Sequence, residues 1–362
     1  MLFKKIKNLL FLCSLLVANV FLSALASDLD ISRQIREHHS LLKPEDVAVI
    51  YNLGDSRSEE VARYYLQARQ IPIENLIGVT LPKPGKEVLS VPEFESLKSQ
   101  IDAKLGKQQV LLLVWRAPFA VQCNSLTSAL SLGLDLDQCK NSCAPGRDNP
   151  YFNSASRRPW ADHQIRLSML LPVTTVDSAR ALIDRGVLSE FSLNDAQAFF
   201  LKTRDAARSK PREPFFPLDG ATVKSKKLVC HTLMSEALER ESAVMFYFTG
   251  QKRVPSLATN GYLPGAIADH LTSSGGVLRD TQDQMPVTQW LEAGVTGSYG
   301  TVSEPCNYWQ KFPNPQVVMA HYLAGETLIE AYWKSVKWPM QGVFVGEPLA
   351  KPYARSMPMF AD

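Results

Sequence analysis

Net charge is nearly absent from this chain: 39 lysines and arginines against 36 aspartates and glutamates leave +3. That balance, with no basic stripe interleaved with aromatics, argues against nucleic acid and leaves a small molecule, a protein or a glycan as partner. Beyond the N-terminus no apolar run is long enough to span a bilayer. The glycine-marked junctions lack the G-x-G-x-x-G spacing of dinucleotide sites. Cysteine is sparse, at six residues. The C-x-x-x-C at Cys139 and Cys143 has no second ligand pair at metal spacing, so neither metal nor cofactor is expected; zinc, helped by Asp135, Asp137 or His163, is the alternative. Internal repeats and low-complexity linkers are also missing, which favours one domain with an inserted loop.

What is present begins with an export signal. Lys4, Lys5 and Lys7 form a basic n-region, Leu9 to Leu22 is apolar, and Ala24-Leu25-Ala26 offers small residues for cleavage. Residues 1–26 read as a signal peptide, with Ser27 the mature start and the product periplasmic or extracellular; an uncleaved anchor is the rival. Five cysteines then remain, an odd number that leaves at least one outside a disulfide. A composition of 45% hydrophobic and 21% charged residues suits a proper core.

The remainder, 27–362, reads as a single α/β domain. Val47 to Asn52 is a strand, an S-x-x-E box at Ser56 to Glu59 opens a helix to Gln70, and Asn75 to Leu81 is a second strand. A helix over Val91 to Leu105 and the wholly apolar Val110 to Trp115 follow. Strand and helix in alternation predict a mainly parallel sheet flanked by helices. Regularity breaks over about 117–166, a cysteine-containing insertion expected to be functional or stapled, with a disulfide among Cys123, Cys139 and Cys143. Ser168 to Val173 is then a strand, T-x-x-D at Thr174 to Asp177 caps a helix, and Gly186 sits at its C-cap. Ala196 to Thr203 reads as a strand, Lys202 to Pro217 as loop, Val223 to Glu241 as helix and Ala243 to Phe248 as a central strand. Val318, Tyr322, Gly325, Ile329 and Tyr332 step along one helix face, with Glu330 and Lys334 paired on its outside. Gly342 to Gly346 is a last short strand.

Chemistry concentrates between Gly261 and Glu304. Gly265 precedes what reads as a helix start, where backbone N–H groups bind an anion. Asp269 and His270 offer a carboxylate beside a base that titrates near neutrality, against a structural role for both. Val295 to Val302 reads as an interior strand delivering Glu304 and Cys306 to its carboxyl end, where ligands of open α/β sheets bind. Cys306 is either a nucleophile or a buried or disulfide-bonded residue. Arg116, directly after the third strand, is a candidate anion clamp on the same rim.

VAVIYN, SEEVARYYLQARQIP, ALIDRGV, PGAIADHLTSSGG, GVTGSYGTVSEPC, GETLIEAYWKS and VFVGEPLAKPY together resemble an uncharacterised exported bacterial family. That family occurs mainly in species carrying exosortase-type protein sorting, and the resemblance runs from Val47 to Tyr353. It implies a binding or accessory role in the envelope or in exported-polymer biology, with an envelope protein or glycan as partner. The C-terminal third also resembles the caspase-like three-layer sandwich of gingipain-type cysteine peptidases through Gly346-Glu347-Pro348. Thr249 stands where that fold places its histidine, and no cysteine occurs between Gly261 and Thr301. The resemblance implies, as the alternative function, a hydrolase drawing on Asp269, His270, Glu304 or Cys306.

Overall fold

The computed structural model describes residues 42–190 and 195–354; the N-terminal basic and apolar run and its cleavage site lie outside them. The strands are β1 (Val47–Asn52), β2 (Leu76–Val79), β3 (Val88–Leu89), β4 (Val110–Val114), β5 (Ala120–Val121), β6 (Asn124–Ser125) and β7 (Leu167–Leu171). They continue with β8 (Ala196–Lys202), β9 (Thr222–Val223), β10 (Leu228–Met234), β11 (Val244–Gly250), β12 (Tyr262–Leu271), β13 (Gly297–Thr301) and β14 (Gly342–Gly346). Eleven of them form one sheet in the order β2-β1-β4-β7-β14-β13-β12-β11-β8-β10-β9, while β3, β5 and β6 make a small separate one. Pairing in the large sheet is mainly parallel; β13–β14 and β9–β10 are antiparallel.

The expected α/β architecture is thus present, and its physical origin is plain. β4, β7, β11, β13 and β14 are buried at every residue, as strands covered on both faces must be. Neighbouring residues of a strand point to opposite faces. On β11, Phe246 meets Tyr322 of one helical layer edge-on and Tyr247 meets Trp290 of the other.

The larger helices are α1 (Ser56–Arg69), α2 (Val91–Asp102), α3 (Leu126–Leu132), α4 (Val176–Leu188), α5 (Pro315–Leu323) and α6 (Leu328–Ser335). Their caps correct two sequence boundaries by one residue. Asp55, not Ser56, caps α1 by accepting from the Arg57 amide, and Thr175 with Ser178, not Thr174 with Asp177, forms the box of α4. The box of α2, Ser90 with Glu93, falls where its helix was expected.

Other corrections are larger. Val223 to Glu241 is not a helix: it holds the end of β9, a short turn and β10. The stretch after Gly265 is not a helix start but the middle of β12. Leu263, Ile267 and Leu271 recur every four residues, yet β12 lies between β11 and β13, where covered faces erase the alternation that marks a strand. The single helix expected through Val318 and Tyr332 is two, α5 and α6, broken where Gly325 adopts φ +92°.

Gly186 lies inside α4 rather than at its cap. A Cβ there would sit 2.3 Å from Glu347 Oε2, so the glycine leaves room for a buried carboxylate. Glu347 in turn accepts from the Tyr65 hydroxyl at 2.7 Å and from Arg69 Nη2 at 2.6 Å. Glu330 and Lys334 are buried, not an outer pair: Glu330 Oε2 accepts from the Thr327 amide and hydroxyl, and Lys334 Nζ lies 2.8 Å from Glu326 Oε1.

Candidate functional site

β12 sets the positions of Asp269 and His270, and because it is a strand the two side chains leave opposite faces of the sheet. Both are fully buried. Asp269 Oδ1 receives Arg212 Nη1 at 2.5 Å, and Arg212 Nη2 donates to the Thr249 carbonyl at 2.6 Å. Burial pushes the Asp269 carboxyl up to about 6, against the pull of the guanidinium. Asp269 Oδ2, Arg212 Nε and the Thr249 hydroxyl have no hydrogen-bond partner among the described residues.

His270 sits on the other face with both ring nitrogens engaged. The Trp290 indole N–H donates to Nδ1 at 3.0 Å, and Nε2 lies 3.1 Å from the Met285 carbonyl. An acceptor at Nδ1 places the proton on Nε2, giving a neutral ring that donates to Met285. Burial pulls its pKa down to about 3. In this arrangement the ring has no lone pair to offer a substrate.

The other candidates lie apart from this pair. Glu304 is exposed, and its Oε1 accepts from the Cys306 amide at 2.7 Å, a local turn contact. Cys306 is bonded to Cys143, and Cys123 to Cys139. The insertion is therefore stapled, by one internal cystine as expected and by a second that reaches the segment after β13. With Cys139 and Cys143 both oxidised, the zinc alternative has lost its thiolates, and no group of three or more metal-ligating side chains occurs among the described residues. Cys230 is a buried thiol outside both bridges.

Arg116 is exposed at the end of β4, where its charge acts on Glu292. Glu304 instead acts on Lys311, whose ammonium is lowered to about 8, chiefly by burial. No contact unites Arg116 with Glu304. Gly265 lies at φ +89° with its N–H donated to Thr296 Oγ1 and its carbonyl accepting from Tyr322, so no amide there is open to an anion.

An open cleft of about 680 Å³ lies elsewhere, between α2, the edge of α3 and the 147–166 part of the insertion. Arg147, Arg166, Trp160, His163, Gln164 and Asp102 line it. The Arg166 guanidinium stacks 3.5 Å over the Trp160 ring and donates to the carbonyls of Gln108 and Gly106. Arg147 donates to the carbonyls of Leu132 and Leu134 at 2.6 and 2.9 Å. His163 Nε2 lies 3.1 Å from the Ser154 hydroxyl. Of the residues singled out from sequence, only His163, weighed there as a zinc ligand, lines this cleft; Asp269, His270, Glu304, Cys306, Arg116 and Gly265 do not.

No protein-family model matches the chain, and no curated protein matches its sequence. Among solved structures the similarity is faint. One described as a protease is 9% identical, with a TM-score of 0.43 over 87% of this chain and 80% of its own. The arginine-specific cysteine proteinase gingipain R (RgpB) is 9% identical, with a TM-score of 0.41 over 87% and 78%. The Porphyromonas gingivalis complex of RgpB pro- and mature domains is 8% identical, with a TM-score of 0.40 over 84% and 79%.

Sequence reasoning missed Arg212, in a proline-broken stretch read as loop, and the buried Glu326–Lys334 pair with His321 Nδ1 3.2 Å from the same Glu326 oxygen. No local signal marks Arg212, because Asp269 is 57 residues away. The lining arginines stood in the insertion already singled out as irregular, and their spacing carries no motif.

Proposed function

We propose that the protein is an exported binding or accessory protein of the cell envelope, acting without chemistry at Asp269, His270, Glu304 or Cys306. His270 carries this reading: a general base needs an exposed lone pair and a pKa near working pH, whereas this ring is enclosed, doubly bonded and held near 3. Two cystines support residence in an oxidising compartment, and no helix among the described residues is long and apolar enough to cross a membrane. The family likeness in sequence favours an envelope glycan or protein as partner.

The hydrolase alternative is tested directly. The purified oxidised protein is incubated with nitrophenyl esters, nitrophenyl glycosides and peptidyl aminocoumarins, beside His270→Asn and Glu304→Gln. The expected result is no turnover in any of the three proteins. Turnover by the natural sequence that both substitutions remove would establish hydrolysis and overturn the proposal.

A further inference from the structure

We infer that the cleft between α2 and the insertion binds an anionic saccharide, with Arg147 and Arg166 meeting its acidic group. The inference deepens the binding role proposed above and rests on it.

The argument starts from hydrogen-bond capacity. A guanidinium carries five N–H donors in a fixed fork. Arg147 and Arg166 each give two bonds to backbone carbonyls, and the rest of each fork has no carboxylate in contact among the described residues. Asp102, whose charge reaches Arg166, is itself engaged by Lys98. Asp148, on the same wall, accepts from the Trp338 indole at 2.9 Å. The carboxylates nearest the two arginines thus have other partners, and two fixed cations face the same open volume.

Fixing matters as much as charge. Carbonyl bonds to Gln108 and Gly106, with the Trp160 ring beneath, hold Arg166 in one plane. A planar, pre-positioned fork suits a carboxylate or sulfate bound through two parallel hydrogen bonds. The volume of about 680 Å³ falls within the usual range for small-molecule sites. Gln164, His163 and the carboxylates of Asp102 and Asp148 add both donors and acceptors to the same lining, which suits hydroxyls better than an apolar body.

Isothermal titration of the full oxidised protein with trigalacturonate and with neutral galactotriose, in low and in moderate salt, tests this. The acidic trimer is expected to bind, more weakly as salt rises, and the neutral trimer at least about tenfold more weakly, as loss of a charge-assisted pair implies. Arg166→Gln and Arg147→Gln should each weaken the acidic trimer by about tenfold. Because both arginines also tie backbone carbonyls, the melting temperature of each variant is measured alongside. Arg116→Gln, an exposed cation outside the cleft, serves as a folded control expected to bind within about twofold of the natural chain. Equal affinity for the two trimers would overturn charge recognition yet leave a saccharide-binding role standing. Binding unchanged in both arginine variants, or no binding of either trimer, would overturn the inference itself, while the turnover assay still judges the absence of catalysis.

Discussion

Arg212 and Arg166 sit in the same molecule under opposite conditions. Arg212 is buried beneath the sheet, faces a carboxylate and shares its charge with Asp269. Arg166 is half-buried at the edge of the insertion, stacks on Trp160 and touches only neutral carbonyls. The first holds the fold together. The second keeps donors in reserve. The difference between the two arginines lies less in residue type than in surroundings: one is enclosed with a carboxylate, the other is held by neutral carbonyls at the edge of an open cleft.

The comparison breaks most visibly at the buried pair. Arg212→Ala leaves the Asp269 carboxylate without its cation, and removing one partner of a buried pair typically costs about 3–5 kcal/mol. Urea denaturation should show that loss, and Arg212→Met with Asp269→Leu should recover most of it. A loss below about 1 kcal/mol in Arg212→Ala would mean the pair is not structural.

Acid sharpens the contrast on the opposite face of β12. His270 titrates near 3 in the fold and at an ordinary 6.5 when unfolded, so its stabilising contribution is complete above pH 6.5 and fades as pH falls toward 3. Asp269, raised from 3.8 to about 6, works the other way: its contribution is complete below 3.8 and fades as pH rises to 6. The histidine shift is the wider one, so the melting temperature should fall between pH 7 and pH 5. In His270→Asn the fall should flatten, and in Asp269→Leu it should steepen. Equal slopes in all three proteins would mean that neither group titrates as its surroundings dictate.

The smallest effect belongs to Arg116, which is exposed at the end of β4. Arg116→Ala should change unfolding free energy by less than about 0.5 kcal/mol and leave acidic-saccharide affinity unaltered. A clear loss of affinity would return the anion site to the place first read from the sequence.

Much of the fold was legible because the central strands are covered on both faces. β1, β4, β7 and β11 show as short apolar runs, and β13 as small and apolar residues, because both of their faces are covered. β12 was illegible for the same reason: once both faces are buried, alternation vanishes, and its leucines and isoleucine happen to fall at helical spacing. The staple Cys123–Cys139 was foreseeable from closeness in sequence, whereas Cys306 reaches Cys143 across 163 positions. Glu330 and Lys334 read as surface because charge usually means solvent; inside, Thr327 donates to one and Glu326 pairs with the other. The candidate site was legible only as a list of chemically able residues, since burial decides which of them can act.

The Cys143–Cys306 cystine also orders events in time. During oxidative folding Cys123 and Cys139 can join at once, being 16 positions apart. Cys143 must stay reduced until the last third of the chain arrives with β13 and the turn beyond it. During that interval it lies four positions from Cys139, within reach of the wrong partner. The native bond needs the segment after β13 beside the insertion, so its presence reports that these two distant parts of the chain have met.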